Sequence, residues 1–321
     1  MKKSVIVAAV LAAVGSSVLA HQRLSAKTLC EGFLPPNSLN IPVGDVRAAG
    51  IDEAVYNAVL DRVQAVYGPV IASKGARLSI NRKWTDGTVN ASAQQIGSTW
   101  HINMYGGLAR HAAVTEEGFA LVACHEIGHH IGGYPKSSWA TNEGGSDYFA
   151  TLKCMRRLYG DAPPLGDVDP VAEAGCSGEF GDESARNGCR NGARGGQSVA
   201  FLFQALRNSP TPPRFDTPNT TVVDQMYNRH PETQCRLDTY YQGALCGASV
   251  SSDLSNSDPN SGACTARNGQ RVGLRPRCWY KPPVDEPALA PAFVARPLDL
   301  DAKAVAEKLE ALRASLSGRG I

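Results

Sequence analysis

The chain has 321 residues, 43 % of them hydrophobic, and a formal charge of +2. This is enough apolar material for a buried core, in one domain with appendages or two small ones, and excludes a disordered chain. Without a dense basic stripe, nucleic acid is excluded as a partner.

Met1-Lys2-Lys3, an apolar run from Val5 to Val14 and small residues up to Val18-Leu19-Ala20 read as a cleavable secretory signal, cut after Ala20. The run is too short to span a bilayer and no later stretch is long enough. The expectation is an exported chain, periplasmic or extracellular, with no membrane span. Residues 21–50 read as an irregular N-terminal segment with Cys30 and Pro35-Pro36.

From Asp52 the apolar positions Val55, Val59, Leu60, Val63 and Val66 form a helical stripe. Arg77 to Trp84 reads as a strand, Thr85-Asp86-Gly87 as a turn, and Ser98 to Tyr105 as a second strand. On that strand Trp100, Ile102 and Met104 share one face, and His101, Asn103 and Tyr105 the other. Thr115 caps the next helix, with Glu116 and Glu117 in its first turn. Gly132-Gly133 and Pro135 end it. A further helix is expected from about Ala140 to Tyr159, and a third from Gln197 to Leu206. Residues 160–196 read as a disulfide-tethered surface loop, with a lid over a cleft as the alternative. Segments 207–222 and 248–263 are polar, and 282–297 is a Pro-rich linker. Leu300 to Leu316 carries Val305, Leu309, Leu312 and Leu316 at helical spacing.

Nine cysteines in an exported chain imply disulfides with one thiol left over. Cys124 is the expected free thiol, because it lies inside a buried helix. Cys235–Cys246 and Cys264–Cys278 are the expected local pairs.

The most informative residues are His125-Glu126-Ile127-Gly128-His129, an H-E-x-x-H inside the helix capped by Thr115. At i and i+4 the two imidazoles lie on one face and can bind one metal ion, with Glu126 beside them as a base. Glu143 and Asp147 repeat the i, i+4 spacing on the following helix. If the helices cross, Glu143 completes a His₂Glu set with a position open for water. Asp147 then accepts a hydrogen bond from the far nitrogen of a ligand histidine. The competing reading makes Asn142-Glu143 an ordinary, solvent-facing helix start. His130 points off the metal face and suits packing or hydrogen bonding. His111 is expected to be solvated, and His101 either lines the cleft or faces water.

H-E-x-x-H followed by E-x-x-x-D resembles the gluzincin metallopeptidases. Within them the chain resembles the CAAX prenyl protease / HtpX-type family. Four further pieces occur in matching order: Asn90-Ala91-Ser92-Ala93, the stretch from Trp100 to Leu108, Thr115-Glu116-Glu117, and His230-Pro231 with Arg236. The resemblance covers roughly residues 50–240 and implies an α+β gluzincin-type core, in which the metal helix is crossed by a second ligand helix. It implies one Zn²⁺ per chain on His125, His129 and Glu143, with Glu126 as general base. The strand carrying Trp100, His101, Ile102 and Asn103 would be a sheet edge that pairs with an extended substrate. His230 would stabilise the oxyanion or orient substrate, and Arg236 would hold local structure. Two departures stand out: the family's best-known members carry membrane helices, and segments 160–196 and 235–280 match nothing in it.

The resulting expectation is a monomeric zinc endopeptidase acting on a protein or peptide. Its parts are a signal (1–20), an N-terminal segment (21–50), a catalytic domain (51–245), a Cys/Pro-rich extension (246–297) and an amphipathic helix (298–321). The alternative is a secreted binding or scaffold protein that keeps the zinc for stability; Glu126, which a structural site does not need, favours the enzyme. An aminopeptidase needs an acidic subsite for the substrate amine, and no motif for one is present.

Overall fold

The computed structural model describes residues 32–283. The expected signal (1–20), residues 21–31, most of the expected linker (282–297) and the expected C-terminal helix (298–321) lie outside the described residues. The architecture is α+β, with a small three-stranded sheet, a two-stranded ribbon and helices packed around them.

Helix α1 (Glu53–Ser73) is capped by the Asp52 carboxylate, which accepts from the Val55 N–H at 2.9 Å. Its stripe Tyr56, Val59, Leu60, Val63 and Tyr67 is fully buried. Strands β1 (Arg77–Lys83), β2 (Ala91–Ile96) and β3 (Thr99–Tyr105) form the sheet in the order β1-β3-β2, with β1 parallel and β2 antiparallel to β3. The strand expected at a sheet edge is therefore central. Both of its backbone edges are bonded, so no peptide can add to it, and Trp100, His101, Ile102 and Asn103 are not substrate-edge residues. Among the described residues the outer strands are β1 and β2, and the Ala91 carbonyl of β2 accepts from the Phe33 N–H at 2.9 Å. Strand β2 escapes a propensity reading because Ala91-Ser92-Ala93-Gln94-Gln95 carries no β-branched or aromatic residue.

After the short helix α2 (Gly106–Arg110) comes α3 (Glu116–Ile131), where the Thr115 hydroxyl accepts from the Gly118 N–H at 3.1 Å. It is buried nearly all round, including its polar residues. A two-stranded ribbon, β4 (Lys136–Ser137) with β5 (Ala140–Thr141), leads into α4 (Glu143–Phe149). The helix expected over 140–159 is thus shorter at its start. It continues through a π-helical stretch, Ala150–Met155, into α5 (Arg156–Tyr159).

The long loop expected at 160–196 is mostly helical: α6 (Pro170–Glu179) and α7 (Glu183–Leu206). The glycines of α7 read as loop residues, but they let neighbouring elements approach closely. A Cβ on Gly195 would sit 2.8 Å from the Glu117 carbonyl of α3. Tertiary packing here overrides weak helix propensity. Helix α8 (Thr233–Leu245) packs beside α7 and α4.

All eight described cysteines are paired: Cys124–Cys154, Cys176–Cys189, Cys235–Cys278 and Cys246–Cys264. Cys124 is therefore not the free thiol; it ties α3 to the π-helical stretch. The two expected local pairs are also replaced, because the segment after α8 folds back onto the core. Trp279 is fully buried and donates from Nε1 to Thr239 Oγ1 at 2.9 Å, which brings Cys278 to Cys235. Among the described residues no helix is long and apolar enough to cross a membrane.

Candidate metal centre

Helices α3 and α4 cross where Gly128 faces Ser146; a Cβ on Gly128 would lie 3.0 Å from the Ser146 Cα. That close approach brings Glu143 over the two histidines. His125 Nε2 is 3.3 Å from Glu143 Oε2, and His129 Nε2 is 3.6 Å from Glu143 Oε1. One donor atom from each of the three residues lies within 4.8 Å of the others. Ligands about 2.0–2.2 Å from a common tetrahedral centre are separated by about 3.3–3.6 Å. The spacings fit a divalent ion.

The far side of each imidazole is fixed. His125 Nδ1 donates to Asp147 Oδ1 at 2.7 Å, and His129 Nδ1 donates to the Thr141 carbonyl at 2.8 Å. Both Nε2 lone pairs are thereby turned to the cluster, the arrangement that orients metal-binding histidines. His125 Nε2, His129 Nε2, Glu143 Oε2 and both oxygens of Glu126 are buried without a hydrogen-bond partner. Buried polar atoms are rarely left so; here the two Nε2 atoms and the Glu143 oxygen belong to a set of donors that could hold a metal ion.

The electrostatics agree. Burial pushes His129 down to about 4, against the pull of Glu143, so its imidazole is neutral near pH 7. Burial also opposes a charge on His125, but Asp147 and Glu143 bring it up to about 9, so a metal ion bound at Nε2 would have to displace a proton there. Glu143 is itself buried, yet His125 and His129 hold it well below the ordinary carboxylate range. Burial raises the Glu126 carboxyl to about 8, opposed by His125. That places it in the range suited to taking and returning a proton near neutral pH.

Asp147 is the hub of the surrounding shell. Its Oδ1 accepts from His125, from Arg236 Nη2 at 2.6 Å and from the Tyr240 hydroxyl at 2.8 Å. The Arg236 guanidinium is fully buried between the rings of Phe33 and Phe203, 4.7 and 4.3 Å away, and donates from Nη1 to the Phe33 carbonyl at 3.2 Å. His230 also reaches the cluster, with Nε2 3.4 Å from Glu143 Oε2 and donating to the Gly32 carbonyl at 2.8 Å.

His101, in contrast, belongs to the sheet: its Nδ1 faces Asn81 at 3.4 Å and its carbonyl accepts from His130 Nε2 at 3.1 Å. His130 is stacked on Trp100 at 5.3 Å, a packing role. Ile102 is in the core, and Asn103 bonds Asn81 and Ser92. His111 is half-buried rather than solvated, its Nδ1 accepting from the Ala113 N–H at 3.2 Å.

Three contributors escape a sequence reading. Tyr240 had a usable signal, since it lies four residues after Arg236 on α8 and therefore on the same face. Thr141 acts through its carbonyl, and Phe33, whose ring lies 4.9 Å from that of His125, comes from a distant segment. Neither leaves a pattern in sequence. No protein-family model matches the chain, and comparison with curated proteins and solved structures finds no similar one.

Proposed function

We propose that this chain is an exported zinc-dependent endopeptidase. The observation that carries the reading is the buried carboxyl of Glu126, unpartnered and adjacent to three donors that converge as a metal set. A structural metal site is closed by its own ligands and needs no such group. The resemblance to the CAAX prenyl protease / HtpX-type gluzincins supports the same reaction, and four disulfides suit an oxidising compartment.

His125, His129 and Glu143 would hold the ion, which supplies Lewis acidity that polarises a peptide carbonyl and acidifies water. Glu126 accepts the proton that the attacking water gives up and returns it to the leaving amine. Asp147 keeps the proton on His125 Nδ1, so that Nε2 stays a lone-pair donor. His230 lies beside Glu143, and its Nε2–H would serve the oxygen that gains charge by leaving the Gly32 carbonyl it now donates to. The outer edge of β2 beyond Ala91, whose carbonyl already accepts from the Phe33 N–H at 2.9 Å, is the stretch available to an extended substrate, and β2 packs on α3.

The test is metal analysis of the purified protein with a peptide-library digest, using Glu126→Gln as control. Equimolar zinc in both proteins, with cleavage in the wild type alone, is the expected result. Equimolar zinc without Glu126-dependent cleavage would favour a scaffold that retains zinc for stability.

A further inference from the structure

The outer edge of β2 has a covered end and an open one. At the covered end the Ala91 carbonyl accepts from the Phe33 N–H, and the Asn90 side chain bonds the Leu34 N–H and carbonyl at 2.9 and 3.2 Å. Backbone groups alternate in direction along a strand, so those of Ala93 and Gln95 also point away from β3. The Phe33 ring lies against His125, which puts the covered end beside the metal set. A strand added to β2 therefore runs from the metal set toward Gln95, which is about 14 Å along the strand from Ala91.

Lys136 stands at that far end. The Gln95 amide meets His130 Nδ1 at 3.3 Å, and the His130 carbonyl accepts from Lys136 Nζ at 2.8 Å. In the ribbon Lys136 pairs with Thr141, whose carbonyl holds His129. The rings of Trp100 and Trp139 lie on either side of the His130 ring, each 5.3 Å away. Gln95, Trp100 and Lys136 are half-buried, so a chain passing along β2 can still touch them.

The His130 carbonyl uses one of three ammonium hydrogens. Among the described residues Lys136 has no carboxylate partner, whereas its neighbour Lys74 is paired with Asp253 at 2.7 Å. Burial lowers the Lys136 pKa to about 8, which leaves it a cation at neutral pH. Satisfying a carbonyl in the last turn of α3 needs only a donor. A half-buried charge with two free hydrogens asks in addition for an anion, and on a peptide that anion is a carboxylate.

We propose that Lys136 selects substrates carrying Asp or Glu about two to four residues from the scissile bond, on the side that lies along Ala93–Gln95. The proposal rests on the peptidase reading and narrows its substrate class.

The test takes a peptide that the wild type cuts and remakes it with Glu, Gln or Lys at each position near the scissile bond, on both sides. The ratio of kcat/KM values is measured for wild type, Lys136→Arg, Lys136→Gln and Lys136→Glu at matched zinc content. The expected result is a position at which the wild type prefers Glu to Gln by about 10-fold or more, the value of a hydrogen bond to a charged group. Lys136→Arg should keep that ratio, Lys136→Gln should bring it close to unity, and Lys136→Glu should turn the preference to Lys. Absence of an acidic preference in the wild type would overturn the proposal, as would its persistence in Lys136→Gln. A lower melting temperature in Lys136→Gln with the Glu-to-Gln ratio unchanged would overturn it too, leaving Lys136 only its bond at the end of α3. Equimolar zinc in the wild type without cleavage of any peptide would remove the peptidase reading and the proposal with it.

Discussion

Arg236→Met separates what holds the centre together from what makes it bind metal. The substitution keeps most of the apolar bulk between Phe33 and Phe203 but removes the guanidinium from Asp147, whose carboxylate is fully buried. Breaking a buried ion pair and leaving one charge behind costs about 3–5 kcal/mol. At about 2–4 °C per kcal/mol for a protein of this size, the melting temperature should fall by about 6–20 °C. Adding Asp147→Asn removes the stranded charge while keeping an oxygen for His125 Nδ1, so much of the stability should return. Metal affinity should not return: an amide is a weaker acceptor than a carboxylate, and loss of such a partner typically costs about 10–100-fold in affinity. The effect also has a sign in pH. Burial disfavours the Asp147 carboxylate, but Arg236 and His125 hold its pKa below the ordinary value. Its contribution is then present above the unfolded pKa of about 3.9 and is lost as pH falls through the lower folded one. The advantage of wild type over Arg236→Met should be largest near neutrality and shrink below about pH 4. Thermal unfolding with chelator present gives the stabilities, and competitive zinc titration gives the affinities. A loss below about 1 kcal/mol, the value of an exposed pair, would refute the argument. So would recovery of metal affinity in the double variant.

Three other outcomes are expected. Removing the Cys124–Cys154 bridge, which closes a separation of 30 residues, should destabilise the protein by about 3–4 kcal/mol on the chain-entropy estimate, measured by denaturant unfolding; an unchanged midpoint would show that the bridge constrains nothing. Lys153 is buried, donates to the Ser249 carbonyl at 2.6 Å, and is pushed down to about 8 by that burial. Its charged form opposes folding, so wild-type stability relative to Lys153→Met should rise between about pH 8 and 10.4, and a flat difference would disprove the burial effect. Glu126→Gln should retain zinc in equilibrium dialysis, because neither carboxyl oxygen is among the converging donors; loss of metal would make Glu126 a ligand instead.

The residues of the centre are legible in sequence because helices repeat. The i, i+4 spacing of His125 with His129, and of Glu143 with Asp147, places each pair on one face whatever the rest of the chain does. Thr115 and Asn142 mark the two helix starts by the same local chemistry, each accepting a hydrogen bond from the N–H three residues on. What local pattern could not supply is anything set by which surfaces meet. That β3 is central depends on β2, whose residues have little intrinsic strand preference. That 170–206 is largely helical depends on glycines that permit close approach to α3 and α8. The pairing of Cys235 with Cys278 follows from the return of the chain after α8, where Trp279 seats against Thr239. His230 and Arg236 meet Glu143 and Asp147 only through the tertiary fold, because sequence separation carries no record of contact once the chain closes on itself.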